Sequence, residues 1–312
     1  MYQGDINKIL LFVAGRSQTK RIQAEKERLK VNQLFSWINE KKEVLETVEK
    51  LRTDPDYNIK LFIDCGAYSA FTKGKVVDID EYCDFINSIG DAIFCFAALD
   101  VIGTGSFQTE REASNKTWSN FLYMVEKIKP EYWCKMMPVF HANEDFSCLQ
   151  RMLDYVYPDG KHIAYIGLGA LTEATARQRK EWFDVCYKLI RKSDNPDVMT
   201  HGFGCTQLDV LSQEPITSAD SSSWIQQSIY GSILVNGSAV FFSDQQYKQP
   251  AHFHNLPPQR QEEIRQHLAK FDLTPEDMKT TEMRQIYHLR MYKDWEDHYQ
   301  YRGSTMSKNI LF

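Results

Sequence analysis

Eight short apolar runs, separated by longer polar stretches, constrain this chain more than any other feature. They lie at 9–15 (ILLFVAG), 60–67 (KLFIDCGA), 92–100 (AIFCFAALD), 134–141 (CKMMPVFH), 162–170 (HIAYIGLGA), 197–204 (DVMTHGFG), 215–220 (PITSAD) and 232–241 (SILVNGSAVF). Each has the length of a strand, and most are apolar throughout rather than alternating, as strands buried on both faces are. Between most of them run segments with helical spacing, such as TWSNFLYMVEKIK (117–129) and ARQRKEWFDVCYKLIRK (176–192). Eight strands alternating with helices predict an α/β fold, a (β/α)8 TIM barrel, over residues 1–250. A doubly wound open sheet is the rival, but AGRSQTK is a poor match to its Gly-rich first turn. After residue 250 the alternation stops. Residues 256–302 read as two helices, the second started by Thr274 as N-cap with Pro275 at the first helical position. Residues 251–312 are therefore expected to form a helical extension packed on the barrel.

Composition narrows the function classes. A chain of 312 residues, 43% hydrophobic and 25% charged, has the make-up of an ordinary soluble globular protein. No apolar run approaches the ~18 residues of a membrane span. The first residues, MYQGDINKILLFVAG, lack a basic leader and a small-residue cleavage site. Seven scattered cysteines without a CxxC pair read as reduced thiols of a cytoplasmic protein. They also argue against a structural zinc site, so no metal and no cofactor is expected.

The net charge of −5 does not advertise a nucleic-acid binder, but charge acts locally. Residues 16–30 carry six Lys/Arg against two Glu. They read as a solvated helix face or as a phosphate-facing patch built on Lys20, Arg21, Lys26 and Arg28. A second basic stretch, around Arg290, Lys293 and Arg302, interleaves its charges with Tyr292, Trp295, Tyr299 and Tyr301. That mixture suits phosphate contact and base stacking, and equally a helix whose aromatics pack inward.

In a barrel of this kind, active-site residues project from the C-terminal ends of strands. Those positions here hold Asp64, Asp100, His141, Gly167, Leu168, Gly169, His201, Gly202, Gly204 and Asp220. Singly, each has an ordinary reading: Asp64 and Asp100 as caps, the histidines as satisfied polar residues, the glycines as tight turns. Together, three carboxylates, two histidines and a set of glycines converge on one rim. Two carboxylates facing one pocket are the equipment for work at an anomeric carbon, one capturing the oxocarbenium-like centre and the other moving a proton. A third suits a heterocycle bearing N–H donors, on which Tyr68 can stack.

These segments resemble, in order, those of the tRNA-guanine transglycosylase superfamily. DCGAYSAF resembles the DSGGFQ segment, FAALD the segment with the base-recognising aspartate, YIGLGAL the GGLAVGE strand, and THGFG the MGVG segment. PVFH stands where the tRNA enzymes have a glutamine, and Asp220 falls where their nucleophilic aspartate lies. The CxCxxC zinc cluster of those enzymes has no counterpart, His141 replaces the glutamine, and Ala67 replaces the second Gly of DSGG. The set looks closer to the compact phage and bacterial relatives, some of which are linked to inserting 7-deazaguanine bases into DNA. The resemblance spans about residues 60–225.

It implies a base-exchange transglycosylase that replaces guanine in a polynucleotide, DNA in preference to tRNA, with a free 7-deazapurine base. Asp220 would be the nucleophile and Asp64 the acid/base. Asp100, Tyr68, His141, Gly167, Leu168, Gly169, His201, Gly202 and Gly204 would surround the base. The alternatives are a hydrolytic nucleobase glycosylase on the same fold, a non-catalytic nucleic-acid-binding subunit, and a metal-dependent barrel hydrolase using the histidines. Oligomeric state is left open, a homodimer included.

Overall fold

Pro138 closes the sheet. In the computed structural model, which describes residues 5–15, 19–74, 76–103, 106–169 and 174–303, strands run in the order β5-β4-β3-β2-β1-β9-β8-β7-β6. They are β1 (Leu10–Ala14), β2 (Asn32–Ser36), β3 (Leu61–Asp64), β4 (Cys95–Ala97), β5 (Met136–Met137), β6 (Val139–His141), β7 (Tyr165–Gly169), β8 (Met199–Gly202) and β9 (Ser218–Ser221). The two ends of that order, β5 and β6, are one stretch of chain split at Pro138. Its first half pairs in parallel with β4 (Phe96 opposite Met136) and its second half with β7 (Val139 opposite Gly167). Proline has no N–H to give the ladder, so the strand changes partner at that residue. Nine assigned strands are therefore eight staves of a (β/α)8 barrel.

The helices between strands are α1 (Lys20–Leu29), α2 (Trp37–Thr53), α3 (Ala67–Lys73), α4 (Ile79–Ile89), α5 (Phe107–Lys127), α6 (Phe146–Asp154), α7 (Ala176–Ile190) and α8 (Leu208–Leu211). Their starts are written locally. Thr19 caps α1 and Asp145 caps α6, while Ser106 with Thr109 and Thr175 with Gln178 form capping boxes on α5 and α7. Rings from strands that are not neighbours fill the barrel interior. Phe62 of β3 meets Phe12 of β1 at 5.7 Å and His201 of β8 at 4.8 Å, and Phe203 lies 4.5 Å from His201.

Two of the expected strands come out differently. The second stave is Asn32–Ser36, which the apolar-run reading passes over, because its first two residues are polar. Both are buried and satisfied: Lys60 N donates to Asn32 Oδ1 at 2.9 Å, and Gln33 Nε2 donates to Tyr57 at 3.0 Å. The run at 232–241 is no stave. It is an antiparallel hairpin, β10 (Ser232–Val235) with β11 (Ser238–Phe241), turning at Asn236–Gly237 with φ of 50° and 77°. Positive φ at both central residues is what an Asn-Gly two-residue turn supplies.

The chain forms two compact units. The first takes residues up to Phe12, Asn32–Asp220 and Tyr299 onward; the second takes Val13–Val31 and Ser221–His298. The second unit contains α1, the hairpin, α9 (Ser223–Ile229), α10 (Pro258–Ala269) and α11 (Thr281–Asp297). α11 starts under a Thr280 cap, not at Thr274, whose N–H and hydroxyl bind Asp277 Oδ2 in a preceding turn. Buried Arg284 of α11 donates to the carbonyls of Ser228, Met278 and Lys279, tying three segments of this unit together. No helix among the described residues is long and apolar enough to cross a membrane.

Candidate active site

All three expected carboxylates belong to the first unit: Asp100 follows β4 by three residues, Asp220 is the last residue but one of β9, and Asp64 is the last residue of β3. Gly66 then turns with φ 87°, its N–H donating to Asp64 Oδ2 at 3.0 Å, and α3 starts at Ala67. A Cβ at Gly66 would sit 2.9 Å from Ile38 and 3.0 Å from Ser36 Oγ, so the bend that aims Asp64 needs glycine twice over. Tyr68 lies in the first turn of α3 and is 67% exposed, available beside the rim for stacking.

Burial pushes the Asp64 carboxyl up to about 7, and the neighbouring charges of Asp100 and Asp220 push the same way. Glu40 adds to this. It is buried on α2 at a kink (φ −132°, ψ 26°) and reaches back to accept from Ser36 N at 2.9 Å, where Ser36 stands opposite Asp64 in the sheet. Asp64 is thus a carboxyl poised between its two protonation states near neutral pH.

Asp100 has the opposite fate. Burial alone raises it, but hydrogen bonding and attraction from His141 outweigh that and hold it below the usual carboxylate range. His141 Nε2 lies 2.9 Å from Asp100 Oδ2, and its Nδ1 lies 2.9 Å from Glu144 Oε1. Burial opposes the imidazolium, yet the two carboxylates win and lift His141 to about 10. Cys65, whose thiol burial keeps protonated, donates to Asp100 Oδ1 at 2.9 Å. Both His141 nitrogens are engaged, so its place is to fix Asp100 rather than to read a ligand. Each Asp100 oxygen retains a second lone pair for an incoming N–H donor.

Asp220, 7% exposed near the end of β9, is gripped from one side. His201 Nε2 at 3.2 Å and Gly204 N–H at 3.0 Å both meet its Oδ1. Gly204 has φ 64°, which a glycine adopts without strain. His201 is fully buried beneath Asp220, with Nδ1 against Ser218 Oγ, and Ser218 Oγ also meets the Tyr165 hydroxyl.

The glycines of β7 make room. A Cβ on Gly167 would collide with Phe203 at 2.6 Å, and one on Gly169 would press on the His141 ring at 3.3 Å. Leu168 alternates to the other face of the strand and is core. Gly202 has ordinary clearances of 3.5 Å or more, so nothing there demands glycine. Glu40, Cys65, Glu144, Ser218 and Tyr165 were missed from sequence. All but Glu40 sit within three residues of a chosen residue, which is the one signal that pointed to them. Among the described residues, no three His, Cys, Asp or Glu side chains come together as a metal site.

The expected basic surface is mostly neutralised within the second unit. Glu25 receives Arg28 at 2.7 Å and Arg290 at 2.6 Å, and its carboxyl is lowered to about 2 chiefly by the Arg28 hydrogen bond. Arg21 faces Glu282 at 3.6 Å, and Lys293 reaches Glu296 and Asp297, each at 2.9 Å. Lys26 is buried over the Trp224 ring at 4.8 Å, while Lys20 is exposed. Compared with known proteins, the chain matches no family model and no curated protein.

Proposed function

We propose that this chain is a base-exchange transglycosylase of the tRNA-guanine transglycosylase kind, replacing guanine in a polynucleotide with a 7-deazaguanine-type base. One observation carries the reading. Two carboxyls on one rim are held in unlike states, Asp64 near its midpoint at neutral pH and Asp100 as an anion beside a cationic His141. Pushing neighbouring carboxyls apart in proton affinity is how a site separates acid from anion.

In this reading Asp220 attacks the sugar C1′ and the glycosidic electron pair leaves with guanine, giving a covalent aspartyl-glycosyl intermediate. Asp64 gives its proton to the departing base and takes one from the incoming base. Asp100 accepts hydrogen bonds from the N–H edge of either base, and Tyr68 covers the ring. DNA is favoured over tRNA because the segments look closer to the compact phage and bacterial relatives, some of which are linked to DNA. A base within a duplex must first be flipped out.

The test is mass spectrometry of nucleosides from DNA and from tRNA after incubation with the protein and candidate deazapurines. A deazapurine nucleoside in DNA is the expected result. Release of free guanine with no incorporated base would mean a hydrolytic glycosylase. No change in either polymer would remove the reading.

A further inference from the structure

Asp220 is asymmetric. Both donors, His201 Nε2 and Gly204 N–H, meet Oδ1, so Oδ2 stands outside both hydrogen bonds. Behind His201 a buried polar line continues to Ser218 Oγ and then the Tyr165 hydroxyl, all at most 1% exposed. Such a line is costly in a barrel core unless every link is made. Its direction follows from the donor inventory. A carboxylate only accepts, so His201 Nε2 carries the proton towards Asp220. In the neutral imidazole Nδ1 is then the acceptor, and Ser218 must donate to it. Ser218 Oγ in turn accepts from the Tyr165 phenol.

We propose that Tyr165, Ser218 and His201 form a one-way donor chain that fixes Asp220 by Oδ1 and presents Oδ2 as the attacking atom. The proposal rests on the reading of Asp220 as nucleophile. His201 is a positioning residue here, not a base contact. In the first step an Oδ2 lone pair bonds to C1′, the C1′–N pair departs with guanine, and guanine takes the Asp64 proton. In the second, the incoming base gives its N–H proton to Asp64 and its electron pair to C1′, and the C1′–Oδ2 pair returns to Asp220. Negative charge then reappears on the carboxylate, and the donors at Oδ1 are already in place to receive it. The chain therefore assists release of the sugar from Asp220. It gives no help to the attack, where the same donors stabilise the starting anion.

Two measurements test this. The first is the His201 tautomer, read from imidazole ¹⁵N shifts of the whole wild-type protein; Nε2–H with a bare Nδ1 is expected. An Nδ1–H tautomer or an imidazolium at neutral pH overturns the chain. The second follows the covalent adduct in single turnover, with a guanine-containing DNA oligonucleotide or tRNA, in Ser218→Ala and the milder Tyr165→Phe. Resolution of the adduct should slow about tenfold in Ser218→Ala, the size of one lost hydrogen bond. It should slow less in Tyr165→Phe, and adduct formation should not slow in either. Equal loss in both steps would make these residues merely structural and overturn the proposal. If wild type forms no adduct with either polymer, the functional reading fails, while the tautomer measurement, which needs neither variant nor substrate, still decides the chain.

Discussion

The rim of the first unit and the α1–α11 pair of the second treat charge in opposite ways. On α1 and α11 opposite charges meet: Glu25 takes Arg28 and Arg290, and Lys293 takes Glu296 and Asp297. On the rim like charges gather, and burial with Asp100 and Asp220 raises Asp64 far from its usual range. Ion pairs with a partner at the surface contribute little, and a matched set asks for no explanation beyond local structure. Carboxylates crowded as Asp64, Asp100 and Asp220 are oppose folding, and such arrangements persist at sites that use the perturbed groups. Both regions look similar in sequence, as charges near aromatics. Their partners separate them.

The largest expected effect comes from Asp220→Asn, which keeps shape and removes the anion. Base exchange should fall by at least about 10³-fold, with the trapped adduct lost and folding retained. The substitution also removes one of the charges that raise Asp64, so the Asp64 midpoint should move down from about 7. An unchanged Asp64 midpoint, read by carboxyl ¹³C shifts, would break the picture of a coupled rim.

His141→Leu comes next. It strips the cation from between Asp100 and Glu144, and removing one member of a buried charged set costs about 3–5 kcal/mol. Chemical denaturation at pH 7 measures this. The wild-type sign is also testable. His141 is raised above the ordinary 6.5, so its contribution is present in full below that pH and is lost as pH rises through about 10. A stability profile of His141→Leu parallel to wild type between those values would mean that His141 is neutral.

Asp64 gives a smaller effect of opposite use. Its folded midpoint lies above the ordinary 3.8, so stability is greatest below that value and declines as pH rises towards about 7. Asp64→Asn should flatten that decline. In the wild type, the step that protonates the departing base should lose rate as pH rises past about 7. A flat rate profile from pH 5 to pH 9 would assign the proton to another group.

How much of this was legible in the sequence depends on how each residue is satisfied. Seven staves announced themselves as apolar runs because both faces are buried. Asn32–Ser36 did not, since its polar residues are satisfied by the backbone N–H of Lys60 and the hydroxyl of Tyr57, distant in sequence. The Asn236–Gly237 turn was written in the chain and marks 232–241 as a hairpin, a local signal outweighed by the count of eight. At the site, strand-end positions located Asp64, Asp100 and Asp220. The unlike states of Asp64 and Asp100 depend on Glu40 of α2 and His141 of β6, each distant in sequence from the carboxylate it acts on. No local pattern brings those groups together; only the closed barrel does.

The smallest expected effect tests the other side of the comparison. If charges on α1 are already matched, a polynucleotide docking nearby has few counterion-releasing cations to meet. Arg28 would have to leave Glu25, and Lys26 would have to leave the Trp224 face where it is buried. Exposed Lys20 has no such tie to break among the pairs described above. Lys20→Gln should therefore lower the salt slope of DNA or tRNA binding by at most about one, the value of a single phosphate contact. Replacing Lys20, Arg21, Lys26 and Arg28 together by Gln should lower it little further. The fourfold variant should instead lose thermal stability, because Glu25 keeps only Arg290 and the Trp224 ring loses its cover. A salt slope reduced by roughly four in the fourfold variant, with unchanged melting, would show these pairs opening onto phosphate. The α1 segment would then be a docking surface with stored counter-charges, and the contrast with the rim would be one of exposure rather than of purpose.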